Sequence, residues 1–151
     1  MARKRLDSKL EAMGAEHLVL GQLLIDGIPS YLAYDNQRDY DVVAVWPESK
    51  RSCAIQVKSR WATDANMSFP ISKLGADFVV FVALNRGVRY RKPVPGEVGR
   101  RDPDFYVVPM DIVREYHRPG AMSVLRLRDL PDRASYLMAW GPVRQFLEMP
   151  P

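Results

Sequence analysis

The stretch YDVVAVWPESKRSCAIQVKSR, residues 40–60, decides the fold of this chain. It contains two apolar runs joined by a polar, turn-forming segment at 47–52, a pattern that predicts two antiparallel strands. Because side chains alternate faces along a strand, Gln56 and Lys58 share one face of the second strand. An amide and an ammonium in an otherwise apolar strand need partners, since burying an unpaired amide costs about 2–7 kcal/mol. The face that carries Gln56 and Lys58 is therefore a candidate functional face.

A helix is predicted before these strands, over residues 7–26. Asp7 or Ser8 is suited to cap its start, and Gly27 is suited to follow its end. Glu16 lies beside the predicted apolar stripe rather than opposite it, so it is either a boundary carboxylate that reaches solvent or a site residue. The stripe expected to pack on the core consists of Leu10, Met13, His17, Leu20 and Leu24.

Further strands are predicted from short apolar or aromatic runs bounded by turn residues. The first three, at 28–35, 40–46 and 53–60, should form an antiparallel meander. The run at 76–84 has few polar residues, so it should be an interior strand covered on both faces. A fifth strand is predicted at 104–109, and residues 125–131 suit a short strand or an extended segment. Helices are expected at 71–75, at 110–118 with Asp111 as cap, and at 134–149 with a break at Gly141-Pro142.

The composition is typical of one globular domain, residues 1–151, with 47% hydrophobic and 26% charged residues. Cys53 is the single cysteine, which excludes an internal disulfide and fits a reducing compartment. Its apolar strand predicts a buried thiol rather than a nucleophile. No secretory signal is apparent, and no apolar run reaches the about 18–20 residues of a membrane span. We therefore expect a cytoplasmic protein that does not engage a membrane.

Positive charge is concentrated in residues 86–101, whose six basic residues and single acid, Glu97, give a formal charge of +5. The whole chain has a net charge of +4. A Gly- and Pro-rich arginine segment can neutralise phosphates, although a solvated loop would have the same composition. The candidate nucleic-acid-binding residues are Arg86, Arg89, Arg91, Lys92, Arg100 and Arg101.

The order of these features resembles the PD-(D/E)xK nuclease superfamily, in particular its Holliday-junction-resolvase-like and restriction-endonuclease-like members. The resemblance covers residues 10–109: a helix acid (Glu16), a strand that opens with Asp41, a strand with Gln56-x-Lys58, then an apolar strand. It implies an α/β fold with a restriction-endonuclease-like three-layer core, a mixed central sheet of about five strands flanked by helices.

The resemblance also implies a site and a cofactor. Asp41, Gln56, Lys58 and Glu16 would be catalytic, with Mg²⁺ (or Mn²⁺) held by Asp41, Gln56, Glu16 and the carbonyl of Val57. Lys58 would orient and help deprotonate the attacking water. Gln56 departs from the family pattern, which usually has Asp or Glu, and removes one negative charge from the site. Asp35 and Asp39 flank Asp41 and are alternative candidate ligands, but they lie in turn sequence, which favours a structural role.

Three hypotheses follow for the function. The first is a metal-dependent DNA endonuclease, and the second is a module of the same fold that binds nucleic acid or a protein partner with little or no catalysis. The third is an unrelated α/β domain in which the polar residues are structural, which would leave Glu16, Asp41 and Lys58 far apart. A homodimer is also expected, with its interface on the apolar C-terminal residues Tyr136, Leu137, Trp140 and Phe146.

Overall fold

A mixed β-sheet of five strands forms the centre of the chain. The computed structural model describes residues 7–33, 39–63, 68–87 and 99–151. In chain order its elements are α1 (Ser8–Ile25), β1 (Ser30–Leu32), β2 (Val42–Trp46), β3 (Arg51–Arg60), β4 (Ser68–Pro70), β5 (Phe78–Ala83), β6 (Asp104–Pro109), α2 (Met110–Tyr116), β7 (Val124–Arg126) and α3 (Gly141–Phe146).

The order of strands in the sheet is β1-β2-β3-β5-β6. β1, β2 and β3 are antiparallel neighbours, β3 and β5 run parallel, and β6 is antiparallel to β5 at the edge. The predicted meander and mixed α/β sheet are thereby confirmed. All six residues of β5 are buried, as expected for an interior strand covered on both faces.

Two hydrophobic clusters cover the two faces of the sheet. On one face, Ala15, Val19 and Leu23 of α1 pack with residues of β2, β3 and β5, and α3 adds Val143. On the other face, α2 and the two-stranded ribbon of β4 and β7 pack over the opposite side of β5. Cys53 is fully buried in the first cluster, where burial raises the pKa of its thiol, as predicted for an inert core residue.

The ends of α1 agree with the prediction. The Asp7 side chain caps the start by accepting a hydrogen bond from the Lys9 amide at 2.8 Å. At the other end the Gly27 amide donates to the Leu24 carbonyl and the Ile28 amide to the Leu23 carbonyl. This Schellman arrangement needs a left-handed residue at its turn, and Gly27 provides it with a φ of 81°.

The predicted buried face of α1 is wrong. The buried residues are Ala15, Val19 and Leu23, whereas Leu10 and Met13 of the predicted stripe are 67% and 53% exposed. Apolar residues surround almost the whole helix, so helical periodicity does not distinguish the face that packs from the face that does not.

Two predictions for the segments around β4 and α2 are wrong. Residues 71–75 form no helix, because the Ile71 amide donates to the Ser123 carbonyl across the β4–β7 ribbon rather than within a turn. Pro109, not Asp111, occupies the N-cap position of α2, and it provides no side-chain hydrogen bond.

The C-terminal region also differs from its prediction. Residues 134–149 do not form one helix: a 3₁₀ turn at Arg133–Tyr136 precedes α3, which begins at Gly141. A proline suits the first turn of a helix, so Gly141-Pro142 starts a helix instead of breaking one. Two residues of the predicted interface serve this chain's own core, since Trp140 is buried and Phe146 packs edge-on against Phe78.

Within the described ranges, no helix is both long and apolar enough to cross a membrane.

Candidate functional site

A cleft of about 350 Å³ lies where β2 begins beside the middle of β3. Its lining includes all five residues predicted for the catalytic and metal site, which come from α1, the start of β2 and the second half of β3. The structure therefore brings together Glu16, Asp41, Gln56, Val57 and Lys58. The third hypothesis would be supported by a lack of convergence of Glu16, Asp41 and Lys58, and the structure instead places all three on one cleft.

Asp41 is held in place by the backbone on both sides. Its amide donates to the Ile55 carbonyl at 2.9 Å, and its carbonyl accepts from the Ala33 amide at 2.8 Å. Its carboxylate Oδ2 accepts a hydrogen bond from the Val57 amide at 2.8 Å. The sheet thus fixes both the position and the orientation of this carboxylate.

The same hydrogen bond gives the direction of the Val57 carbonyl. The amide and carbonyl of one strand residue point to the same side of the strand, so the Val57 carbonyl faces the edge on which Asp41 lies. The ladder between β2 and β3 ends at Val42 and Ile55, and Val57 is two residues beyond that end. The carbonyl is therefore directed towards the part of the cleft past the last strand pair.

Glu16 reaches the cleft from α1 and contacts Asp41. Burial raises the pKa of the Glu16 carboxyl, the charge of Asp41 and a side-chain hydrogen bond with Asp41 raise it further, and the nearby His17 opposes the shift. Two carboxyl groups held this close repel each other unless a proton or a cation lies between them. Such pairs are characteristic of functional sites.

Gln56 carries an unpaired acceptor beside these acids. The residue is only 3% exposed, and its Oε1 atom is buried without a hydrogen-bond partner in the described chain. A buried polar atom left unpaired is uncommon in a native fold and indicates a strained site or a partner such as an ion or water. Gln56 and Lys58 lie on one face of β3, so the acceptor and the ammonium belong to the same site.

The donor set fits a hard divalent cation. Carboxylate, amide and backbone oxygens are the ligands of Mg²⁺ and Mn²⁺, and one or two carboxylates are enough for ions that keep several waters. In the described chain there is no group of three or more His, Cys, Asp or Glu residues suited to a metal.

Lys58 supplies the positive charge of the cleft floor. It is half-buried, and in the parallel register it lies opposite Phe81 of β5. Over residues 7–33, 39–63, 68–87 and 99–151 it forms no ion pair. Its ammonium is therefore not neutralised by the neighbouring carboxylates.

The cleft also contains residues that were not predicted for it, among them an acid and a lysine. Asp39, interpreted as structural, lines the cleft, as do Ser72 and Lys73. The spacing of Asp39 from Asp41 was a usable signal, since residues two apart lie on the same side of an extended chain. No comparable signal marks Ser72 and Lys73, because their position depends on the fold of 71–75. Asp35 lies outside the described residues.

The basic segment is described only at its base. Arg86 and Arg100 form an antiparallel bridge, and Thr63 binds Gly87 through its amide and Gly99 through its hydroxyl. These contacts place the two described ends of the segment, residues 86–87 and 99–100, beside the ends of β3 and β5. Of the remaining predicted nucleic-acid-binding residues, Arg101 forms an ion pair with Asp104 at 2.7 Å, and three lie outside the described residues: Arg89, Arg91 and Lys92.

Comparisons with known proteins place the fold but not the family. No protein-family model matches this chain, and no curated protein matches it. Among solved structures, the chain is similar to the bacterial homing endonuclease I-Ssp6803I, with a TM-score of 0.62 and 23% sequence identity. The match covers 92% of this chain and 93% of that one. The likeness establishes a shared fold over nearly the full length of both chains.

Proposed function

We propose that this chain is a DNA endonuclease that hydrolyses phosphodiester bonds at the cleft between α1, β2 and β3 with Mg²⁺ or Mn²⁺. The observation that carries the proposal is the buried, unpaired Oε1 of Gln56 beside the paired carboxyls of Glu16 and Asp41. In this arrangement a cation satisfies the amide oxygen and relieves the repulsion between the acids. The PD-(D/E)xK assignment, with glutamine in place of the second acid, is part of the proposal.

The chain's residues have distinct roles in this proposal. Asp41, Glu16, Gln56 and the Val57 carbonyl would hold the ion. When bound, such an ion lowers the pKa of an attacking water and stabilises the negative charge that develops on the phosphate. Lys58 donates hydrogen bonds to the phosphate oxygens or to the attacking water, and orients it for in-line attack.

The shared fold and the charge distribution support DNA as the substrate. The similar solved structure is a bacterial homing endonuclease, and the match spans nearly all of both chains. The basic segment at 86–101 begins at the sheet end towards which β3 runs from the cleft. Positive charge there can bind the backbone of a strand whose phosphate enters the cleft.

The test is cleavage of duplex, single-stranded and branched DNA with Mg²⁺ or Mn²⁺. Asp41→Asn and Lys58→Ala should each lower the rate by about 100-fold or more, in the range of lost acid–base or electrostatic groups. Asp111→Asn and Lys50→Ala remove the same charges from exposed positions outside the cleft and should cleave at the wild-type rate. Equal activity in all five proteins would contradict the proposal.

A second candidate function is a DNA-binding module of the same fold that does not cleave. Gln56 favours it, because the amide removes a charge that would otherwise hold the cation. Calorimetry with Mn²⁺ separates the two candidates. Salt-sensitive DNA binding without measurable Mn²⁺ binding would support the module, whereas Mn²⁺ binding that Asp41→Asn abolishes would support the nuclease.

We also propose that the protein acts as a homodimer of this single domain, with its interface on the outer face of α1. Leu10, Met13, Leu24 and Ile25 are each at least 50% exposed on that face. A helix that is apolar all round is normally buried on all sides. A second copy is a suitable cover because this face carries no charge, so two identical faces meet without like-charge repulsion.

A further inference from the structure

Residues 71–75 form a short irregular segment that is fixed at both ends. At its start, Ile71 is buried and its amide donates to the Ser123 carbonyl at 3.0 Å. Near its end, Arg114 of α2 donates through Nη2 to the Leu74 carbonyl at 2.8 Å. Contacts from two other elements therefore set the path of this segment without any helix or strand of its own.

The segment forms one wall of the cleft and is closely packed there. A Cβ atom at Gly75 would lie 2.5 Å from Oδ2 of Asp39, so the Asp39 side chain packs directly against the Gly75 backbone and would have to shift for any larger residue. Between the two anchors, Ser72 and Lys73 are exposed and line the cleft. The wall thus presents Lys73 across the cleft from β3.

The positive charge of Lys73 forms no polar contact with the residues that the structure describes. Although carboxylates line the same cleft, Lys73 has no hydrogen-bond or ion-pair partner in the described parts of the chain. A lysine recruited to balance those acids would be paired with one of them. An unpaired ammonium at the rim of a cleft that takes a phosphodiester is instead suited to a phosphate.

We propose that Lys73 contacts a backbone phosphate next to the one bound at the cleft, and so positions the DNA strand for cleavage. The proposal rests on the proposed function, because it takes the cleft to be the site of a phosphodiester. Lys58 on the floor would serve the reacting phosphate, and Lys73 on the wall would serve its neighbour. Since backbone contacts set register and orientation, Lys73 would affect affinity uniformly across DNA sequences.

The experiment measures the affinity for a short DNA duplex as a function of salt, by fluorescence anisotropy in a chelator so that nothing is cleaved. Removing one phosphate contact lowers the magnitude of the slope of log K against log salt by about 0.9. We expect this change for Lys73→Ala, and the wild-type slope for Lys73→Arg and for the control Lys50→Ala. In single-turnover cleavage, Lys73→Ala should need a higher DNA concentration than wild type to reach its maximal rate, because the lost contact weakens binding.

The outcomes separate this inference from the proposed function. A slope and affinity in Lys73→Ala equal to those of Lys50→Ala would overturn the role of Lys73, even if Asp41→Asn abolishes cleavage. A reduced slope in Lys73→Ala with no cleavage by the wild type under any metal would support the contact and reject the nuclease. Absence of DNA binding by the wild type would overturn both.

Discussion

Gln56 is the residue on which the proposed metal site depends most directly. An acid at this position would bind a cation more tightly, but it would add a third charge to Glu16 and Asp41. The amide keeps an oxygen donor in the site at a lower electrostatic cost. Its buried Oε1 has no partner in the described chain, so the folded protein bears the cost of an unmade hydrogen bond.

Replacing Gln56 with methionine separates stability from metal binding. Gln56→Met keeps a similar volume and removes the unpaired acceptor, so in a chelator it should raise the free energy of unfolding by about 1 kcal/mol. It should also weaken Mn²⁺ binding about tenfold, whereas Gln56→Glu should strengthen it. Urea unfolding and calorimetry measure the two effects. A Gln56→Met protein that is less stable than wild type in a chelator would mean that the amide has a structural role.

The Glu16 carboxyl gives a second prediction, on the pH dependence of stability. Its pKa in the folded protein is raised above the ordinary value of 4.5, so the folded state keeps the proton longer than the unfolded state does. Stability from this group is therefore present below about pH 4.5 and is lost as pH rises through the folded pKa.

Glu16→Gln should remove that loss. In a chelator at pH 7 the variant should be more stable than wild type, by less than about 1 kcal/mol because solvent screens a partly exposed carboxyl. Below about pH 4.5 the two proteins should converge, since the wild-type carboxyl is then protonated in both states. Urea unfolding across this range measures the difference. A variant that is less stable than wild type at pH 7 would contradict the repulsion between Glu16 and Asp41.

At the scale of elements, the sequence predicted strands better than helices, for a physical reason. In residues 40–60 two strand-like runs flank a turn-forming segment, and side chains alternate faces along each run. Local information alone therefore predicted that β2 and β3 pair antiparallel, with Asp41 at the start of one strand and Gln56 and Lys58 on one face of the other. The helix α1 offered no such contrast, because it is apolar on both its packed and its outer face. Its buried face is selected by the sheet it packs on.

The parts of the site that the sequence did not predict depend on long-range contacts. Ser72 and Lys73 reach the cleft only because Ser123 and Arg114 fix the segment that contains them. Neither contact leaves a periodic pattern in residues 71–75. Similarly, the contact of Asp39 with Gly75 joins two loops that are distant in sequence, and only the folded chain reveals it.

Asn85 joins the ends of β5 and β6 at the base of the basic segment and gives a prediction at this scale. It is buried with a φ of 53°, and its Nδ2 donates to the Asp102 carbonyl at 2.9 Å and to the Asp104 carboxylate at 3.1 Å. Asn85→Ala loses both hydrogen bonds. Alanine also adopts the left-handed conformation less readily than asparagine, and the two effects together should cost about 2–3 kcal/mol of stability.

Asn85→Gly is the matched variant, because it loses the same hydrogen bonds but tolerates the left-handed backbone. It should be about 1 kcal/mol more stable than Asn85→Ala, although glycine is the smaller residue. Urea unfolding of both proteins provides the measurement. If Asn85→Gly were the less stable of the two, backbone conformation would not be what selects asparagine here.

At the scale of the whole molecule, α1 separates two surfaces of different character. On one side, Glu16 lines the polar cleft. On the other, Leu10, Gly14 and Leu18 line a largely apolar groove that continues onto Trp61 and Leu84, directly after β3 and β5, and has Glu11 and Arg86 in its lining. A dimer through the outer face of α1 would leave the cleft of each copy open, and two open sites are what cleavage of both strands of a duplex requires.

The residues of α1 fit this arrangement. Leu10, Met13, His17 and Leu24 lie three, four and seven residues apart, a spacing that places them along one line, or seam, of the helix. Gly14 and Gly21 have open space where a Cβ would be, so a second helix can approach closely. The charged residues of α1 are Lys9, Glu11 and Glu16; helical geometry places Lys9 and Glu16 at the border of the seam and Glu11 away from it.

We therefore expect the wild type to sediment and scatter light as a dimer, and Leu10→Glu and Leu24→Glu each to shift it towards the monomer. A carboxylate in the seam would face its own copy and lose hydration with no partner, a cost of several kcal/mol for a buried charge. Met122→Glu is the control, since Met122 is 79% exposed but lies outside α1. Monomeric Leu24→Glu should still nick one DNA strand while losing cleavage of both strands, because its cleft is intact. A wild type that is monomeric at tens of micromolar would contradict this interface, as would a dimer that Leu10→Glu and Leu24→Glu leave unchanged.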